Sequence, residues 1–395
     1  MARCAVGAAN WIERMTAVAE GVEAIRDRVR DAARANAAVR IVGQGSWLDA
    51  GRPVSAAGTI STREYSGITE YVPGDLTMTA RAGTTLGEIR ETTAEHGQWL
   101  ALNPYGVDDG TIGATIATGA AGPLSTFFGR ARDLVLGLEF VTGEGVVARG
   151  GGRVVKNVAG FDLTRLVTGS WGTLGIVTEV TIRLHARPEA DESFAVRLPD
   201  SGGLDRVRRT LRQLPFVPYS CEIVNAALAE RLLGTSATTA LFRIGGNREA
   251  VRAQRVALAE LGDVREIDAS VWDRLRGVEP QQALVFRLSR LPSHIERVWA
   301  EANALASRCP GAMLHANPVR GVVRCVIPSA SPDCARHVAD AFATSTETIR
   351  LGERLPMDLW ANVSPAATGS DLAERIKRRF DPNGVLNPGI LGGVA

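Results

Sequence analysis

The sequence has almost no excess of charge. Its 45 lysines and arginines stand against 43 aspartates and glutamates, a formal net charge of +2 over 395 residues. No whole-chain field therefore argues for nucleic acid as a partner. The basic cluster Arg375, Lys377, Arg378 and Arg379 reads instead as a solvated helix face. Cysteine is sparse as well. Cys4, Cys221, Cys309, Cys325 and Cys334 are odd in number and widely spaced, and no CxxC pair occurs. That spacing supports neither a disulfide framework nor a cysteine-held iron–sulfur cluster, and a reducing compartment is the simplest reading. No run is long and apolar enough to span a membrane. The opening MARCAVGAANWIERM starts apolar but soon turns charged, which makes it a poor secretory signal. The expectation is a cytoplasmic protein with no direct membrane insertion, any membrane association coming through partners.

What is present belongs to an ordinary globular protein: 45% apolar and 22% charged residues, in a chain long enough for two or three domains. Residues 22–36, with Val22, Ile25 and Val29 on one side, read as a helix, and the strand VRIV follows. Ile60 and Met78 fall in further strands. Thr85 with Glu88 three residues on is a capping-box pattern, for a helix ending near Gly97. Residues 111–119 suggest a short helix, 134–141 and 145–149 two strands, 162–167 a helix and 176–184 a strand. Near Arg187 and Pro188 the texture changes. From there to about residue 345, strands such as CEIV and TALFRIGG alternate with longer helices such as REAVRAQRVALAELG. This is an α+β or α/β domain separate in style from the first. The tail holds a helix, SDLAERIKRRF, and then the turn-rich DPNGVLNPGILGG.

Three glycine-rich segments lie before residue 187. Gly43-Gln44-Gly45-Ser46 follows a strand, where glycines turn the chain sharply and expose backbone N–H groups. No GKS or GKT follows, so it is not a P-loop. The third glycine and the helix of a Rossmann fingerprint are missing too. The second segment joins Asn103-Pro104-Tyr105-Gly106, Asp109 to Gly113, and Thr118 to Gly122. The third is RVVKNVAGFDLTRLVTGSWGTLGIVTEVTIRL, whose Gly169, Gly172 and Gly175 precede a β-branched run. Each alone has a reading as close helix or turn packing. One extended ligand touching all three is the economical account, and a dinucleotide such as FAD fits it.

Residues 36–186 resemble the FAD-binding domain of the vanillyl-alcohol oxidase/PCMH flavoprotein superfamily, most strongly over RVVKNVAGFDLTRLVTGSWGTLGIVTEVTIRL. Within it the chain is similar to the FAD-binding subunits of glycolate oxidase. The tail FDPNGVLNPG resembles the C-terminal signature of the D-lactate/glycolate oxidase branch. The resemblance implies an α+β fold: a PCMH-type FAD-binding domain of two α/β subdomains over 1–188 and an α+β cap over 189–365. A segment over 366–395 would return to the first domain. It implies that Gly43, Gln44, Gly45, Ser46 and Trp47 wrap the FAD pyrophosphate and that Gly83 lies close to the cofactor. Asn103, Pro104, Gly110, Thr111, Gly113 and Thr118 would line the pyrophosphate and flavin side. Gly172, Gly175, Ile176 and Val177 would border the adenine half, and Asn387 would sit near the isoalloxazine ring. Lys156, Phe161 and Asp162 belong to the motif without an assigned role.

Departures from the family matter as much. Many members place a flavin-bonding histidine beside the phosphate loop, where this chain reads SW, so noncovalent FAD is expected. ATGAAG stands for the common ATNAGG, and Trp171 for a frequent Glu. Catalytic members carry a metal-holding HxGDGNxH segment, whereas GAMLHANPVRGVVR has only His315, which as a lone histidine in a strand-like segment reads first as structural and second as catalytic, with Arg320 or Arg324 offering a carboxylate partner. His96, His185, His294 and His337 form no metal-ligand spacing, and Cys309 and Cys325 read as buried small hydrophobes. The function implied is an FAD-dependent subunit of a glycolate oxidase complex, oxidising glycolate or a related 2-hydroxy acid to the 2-oxo acid. Its implied partners are a second, D-lactate-dehydrogenase-like flavoprotein and an iron–sulfur subunit. A noncatalytic structural or electron-relay subunit, and an independent 2-hydroxyacid dehydrogenase, are the alternatives; the catalytic base is unassigned.

Overall fold

The computed structural model describes residues 21–106, 109–152, 162–199, 202–329, 331–343, 347–363 and 371–392. Cys4, Lys156 and Phe161 lie outside the described residues. In the first part of the chain, helix Val22–Ala35 buries Ile25, Val29 and Ala32, the spacing of one helical face. It ends at Asn36, whose left-handed conformation lets its N–H return to the Ala32 and Ala33 carbonyls. Strand β1 (Val39–Val42) then pairs in parallel with β2 (Gly58–Ser61).

The second sheet is built from β3 (Ile68–Val72) and β4 (Thr77–Arg81), and later β6 (Val135–Val141), β7 (Val147–Gly151) and β8 (Ile176–Arg183), in the order β3-β4-β8-β6-β7. A short pair, β5 (Gln98–Trp99) with β9 (His185–Ala186), closes its side. The Thr85 capping box forms as expected: Glu88 N donates to Thr85 Oγ1 at 3.1 Å, and Thr85 N donates to Glu88 Oε2 at 2.7 Å. Helix Ile112–Thr118 packs on this sheet, with Ile112 and Ile116 fully buried against a core that includes Phe140, Val180 and Ile182.

The cap domain is one antiparallel eight-stranded sheet. Its strands are β10 (Ala190–Arg197), β11 (Ser220–Val224), β12 (Thr239–Gly246), β13 (Val264–Ile267), β14 (Leu284–Ser289), β15 (Met313–Asn317), β16 (Val322–Ile327) and β17 (Ile349–Arg354). Their order is β13-β10-β12-β11-β15-β16-β14-β17. Helices such as Ile295–Ala306 and Pro332–Ala343 cover it, burying Val298, Ala302 and Val338.

The last described segment lies beside β1. After helix Asp371–Phe380, the Asp381 carboxylate accepts the Val385 and Leu386 N–H groups at 3.1 and 2.9 Å. Val39 N then donates to Val385 O at 2.8 Å, and Asn387 N donates to Val39 O at 3.0 Å, so the tail lies parallel to β1. Among the described residues no helix is long and apolar enough to cross a membrane.

One expectation is corrected. Cys309 and Cys334 form a disulfide, with Cα atoms 5.2 Å apart. Cys309 follows helix Ile295–Ala306 and Cys334 opens helix Pro332–Ala343; both helices pack into one core cluster. Spacing along the chain carried no sign of that adjacency. Cysteine usage therefore gives no argument for a reducing compartment. Cys221 and Cys325 are buried free thiols, both pushed up by burial. Closing a loop over a sequence separation of 25 should stabilise the fold by about 3 kcal/mol. The double variant Cys309→Ala/Cys334→Ala should lose that amount, measured by urea unfolding.

Candidate cofactor and substrate site

The groove begins where β1 ends. Gly43, Gln44, Gly45, Ser46 and Trp47 turn along one wall, with Gly45 at φ +88°. Among the described residues, the N–H groups of Gln44, Gly45, Ser46 and Trp47 have no acceptor. Consecutive free N–H groups on a tight loop form a cradle for an anion. Gly113 and Thr118, from helix Ile112–Thr118, form a second wall. Gly172, Gly175, Ile176 and Val177 form a third, and Asn387 comes in from the tail.

The glycines do not all face the groove. A Cβ on Gly43 would strike Thr111 Oγ1, and one on Gly113 would lie 2.5 Å from Ala82 Cβ. At Gly175 it would meet the Phe140 ring at 2.6 Å, and at Gly172 the Asn387 Nδ2 at 2.9 Å. These residues are small because protein packs behind them, which brings their backbone to the groove wall. Asn387 is the bracket of this wall. Its Oδ1 accepts Ile41 N and its Nδ2 donates to Trp171 O, both at 2.8 Å.

The remaining residues singled out in the sequence stand behind the groove. Gly83 packs against the carbonyls of Thr62 and Arg63. Thr111 caps helix Ile112–Thr118, and Gly110 O accepts Leu86 N at 2.9 Å. Asn103 is buried, its Oδ1 accepting Leu124 N at 3.1 Å, and Pro104 O accepts Arg276 Nε at 2.9 Å. Asp162 caps helix Leu163–Val167.

A larger cavity, about 460 Å³, lies between the first part of the chain and the eight-stranded sheet. It shares Trp47, Thr118, Trp171 and Ile390 with the groove, so the two spaces adjoin. Backbone of Ala120, Ala121 and Gly122 forms one side. The cap sheet forms the other and is polar. His315 Nδ1 lies 3.0 Å from Glu222 Oε2, and Asn317 Nδ2 donates to Glu222 Oε1 at 3.2 Å and to Thr126 Oγ1 at 2.8 Å. Arg324 is held by Glu279 and by Glu353, the latter at 2.7 Å, and its guanidinium lies 4.5 Å over the Tyr105 ring. Burial pushes the Tyr105 hydroxyl well up, so it stays neutral.

Arg320 is different. Among the described residues it has no carboxylate partner; it donates to Ser125 O. Burial, and then the charge of Arg130, hold its guanidinium below the ordinary arginine value. Arg130 lines the same cavity, also without a carboxylate partner among the described residues. An unpaired guanidinium in a cavity is suited to bind a carboxylate in two-point fashion.

The sequence reading named His315 and Arg320 but missed Glu222, Asn317 and Arg130. A glutamate inside the apolar strand SCEIV, all of it buried, was the available signal for the first. His315 and Asn317 are two residues apart on one strand, which places them on one face.

The four free N–H groups fit the pyrophosphate of FAD. Among the described residues, the groove is lined by no histidine, cysteine or tyrosine. Fold and groove together define an FAD-binding oxidoreductase with an α+β cap over its cofactor. The chain belongs to the vanillyl-alcohol oxidase/PCMH-type family of FAD-binding flavoproteins. The family described as FAD binding domain matches residues 14–151. The chain is 30% identical to the glycolate oxidase subunit GlcE of Escherichia coli (strain K12), over 93% of this chain and 96% of that one. It is 25% identical to the glycolate oxidase subunit GlcD of Bacillus subtilis (strain 168), over 88% and 82%. In fold it is similar to p-cresol methylhydroxylase with substrate bound, at a TM-score of 0.72 and 17% identity, covering 95% of this chain and 88% of that one.

Proposed function

We propose that this chain is an FAD-dependent subunit that oxidises a small 2-hydroxy acid, glycolate or a close relative, to the 2-oxo acid. The observation that carries the reading is Arg320, a half-buried guanidinium without a carboxylate partner among the described residues, in a cavity that adjoins the cofactor groove. Bound FAD supplies the two-electron oxidation. The loop from Gln44 to Trp47 holds its pyrophosphate through N–H groups. Arg320, with Arg130 in the same cavity, holds the substrate carboxylate and so fixes which carbon faces the flavin. The cap sheet closes over the site and limits access of water.

The similarity to glycolate oxidase subunits supports a heteromeric setting with a D-lactate-dehydrogenase-like flavoprotein and an iron–sulfur subunit.

The test is a visible spectrum of the purified chain before and after acid denaturation, followed by anaerobic addition of glycolate and D-lactate. Flavin released into the supernatant and bleached before release by a 2-hydroxy acid is the expected result. No flavin after reconstitution with FAD points to a structural subunit. Bound flavin that bleaches only with partners present assigns the chain an electron-relay role.

A further inference from the structure

Glu222 and His315 come from neighbouring cap strands, β11 and β15, and are 2% and 3% exposed. Burying a carboxylate is costly unless it is paired and hydrogen-bonded. Glu222 meets that requirement with Nδ1 of His315 on one oxygen and Asn317 on the other. The pairing also fixes the imidazole. With Nδ1–H donated to Glu222, Nε2 carries the lone pair. Nε2 is buried and has no hydrogen-bond partner among the described residues, and the ring lines the cavity wall with Tyr105 and Arg320. A buried polar atom left unpaired in a cavity wall calls for a ligand.

Resting on the 2-hydroxy acid reading, we infer that His315 Nε2 takes the proton of the substrate hydroxyl, with Glu222 as its positioning residue. The O–H bond breaks toward Nε2, giving imidazolium. The oxygen electron pair forms the C=O bond as the C–H bond breaks, and FAD held in the groove would accept the hydride. The alcohol loses two electrons and FAD gains them. Glu222 stabilises the imidazolium, as a buried carboxylate does when it orients a catalytic histidine. Arg320 would hold the carboxylate beside it. Two substrate contacts, one on the acid and one on the hydroxyl, select 2-hydroxy acids over simple alcohols and over simple carboxylates.

The experiment uses the flavin-loaded full chain, with its partners if they are needed for reduction. Three quantities are measured: the rate of anaerobic flavin reduction against pH, FAD per chain, and the dissociation constant of oxalate from its perturbation of the flavin spectrum. His315→Gln should slow reduction roughly a hundred- to ten-thousand-fold. FAD content and oxalate affinity should stay within a few-fold of the parent. The parent's rate should fall on the acid side, where the imidazole is already protonated, and that limb should be absent in His315→Gln. Glu222→Gln should keep the limb but move it to lower pH, because the imidazolium has lost its carboxylate. A merely structural role for Glu222 would not move it.

Reduction of His315→Gln within a few-fold of the parent, or an acid limb that persists in it, overturns the inference and leaves the function standing. A parent flavin that no 2-hydroxy acid reduces removes both. Loss of oxalate binding in His315→Gln together with loss of flavin would mark His315 as structural and overturn the inference as well.

Discussion

Arg324→Met should destabilise the protein by about 3 kcal/mol, the lower end of the cost of removing one partner from a buried ion network. Arg324 and Glu279 are 5% and 3% exposed as side chains, and Arg324 also bonds Glu353. Methionine would fill much of the volume but leave one buried and one partly buried carboxylate, Glu279 and Glu353, short of a cation. The lower end applies because Arg354 still reaches Glu279 at 3.3 Å and Arg287 reaches Glu353 at 3.2 Å. Arg336→Ala, which breaks an exposed pair with Asp333, should change stability by less than about 1 kcal/mol. Urea unfolding at neutral pH separates the two.

The pH dependence supplies an internal check. Burial alone would raise the Glu353 carboxyl, but Arg324 and Arg287 outweigh it and hold it below the usual carboxylate value. A depressed carboxylate contributes stability that is complete above its unfolded pKa and lost as pH falls through its folded one. The parent should therefore show an acid limb of unfolding that is reduced in Arg324→Met. A midpoint unchanged at neutral pH, with the limb retained, would show the network to be energetically silent.

The second large effect is expected at Gly172. Its φ of +73° is in the left-handed region, where a β-branched residue is strained. A Cβ there would also press on Asn387 Nδ2 at 2.9 Å and Ile41 Cδ1 at 3.0 Å. Gly172→Val should cost about 2–4 kcal/mol, located in the FAD-binding domain. FAD per chain should drop sharply while the cap retains its cooperative unfolding. Gly234, at φ +68° in the cap with nothing within 4 Å of its Cβ position, is the control. Gly234→Ala carries backbone strain alone and should leave FAD content unchanged. Full flavin occupancy in Gly172→Val would place the cofactor away from this wall.

The local elements were legible in the sequence because their signals are local. The Thr85–Glu88 box, the face of Ile25 and Val29, and the alternation of strands and helices after residue 190 each act within a few residues. The glycine segments were legible as loops, yet their purpose was not, since Gly175 is small for the sake of Phe140, an aromatic 35 positions earlier in the numbering. The polar end of the cavity was hidden for the same reason. Glu222 and His315 are 93 residues apart, and only the adjacency of β11 and β15 brings them together. No local pattern specifies that adjacency. The Cys309–Cys334 link was invisible on the same grounds.

Asn387 joins β1 to the Trp171 turn, and the preceding residues lie along β1. Asn387 is made 216 residues after Trp171. Residues 39–47 and 171–177 therefore emerge long before the piece that fastens them to each other, and the nucleotide wall stays unfastened until that piece has been made. Cofactor loading thus waits on it, and the half-built groove is a species that the cell must carry through synthesis of the intervening chain.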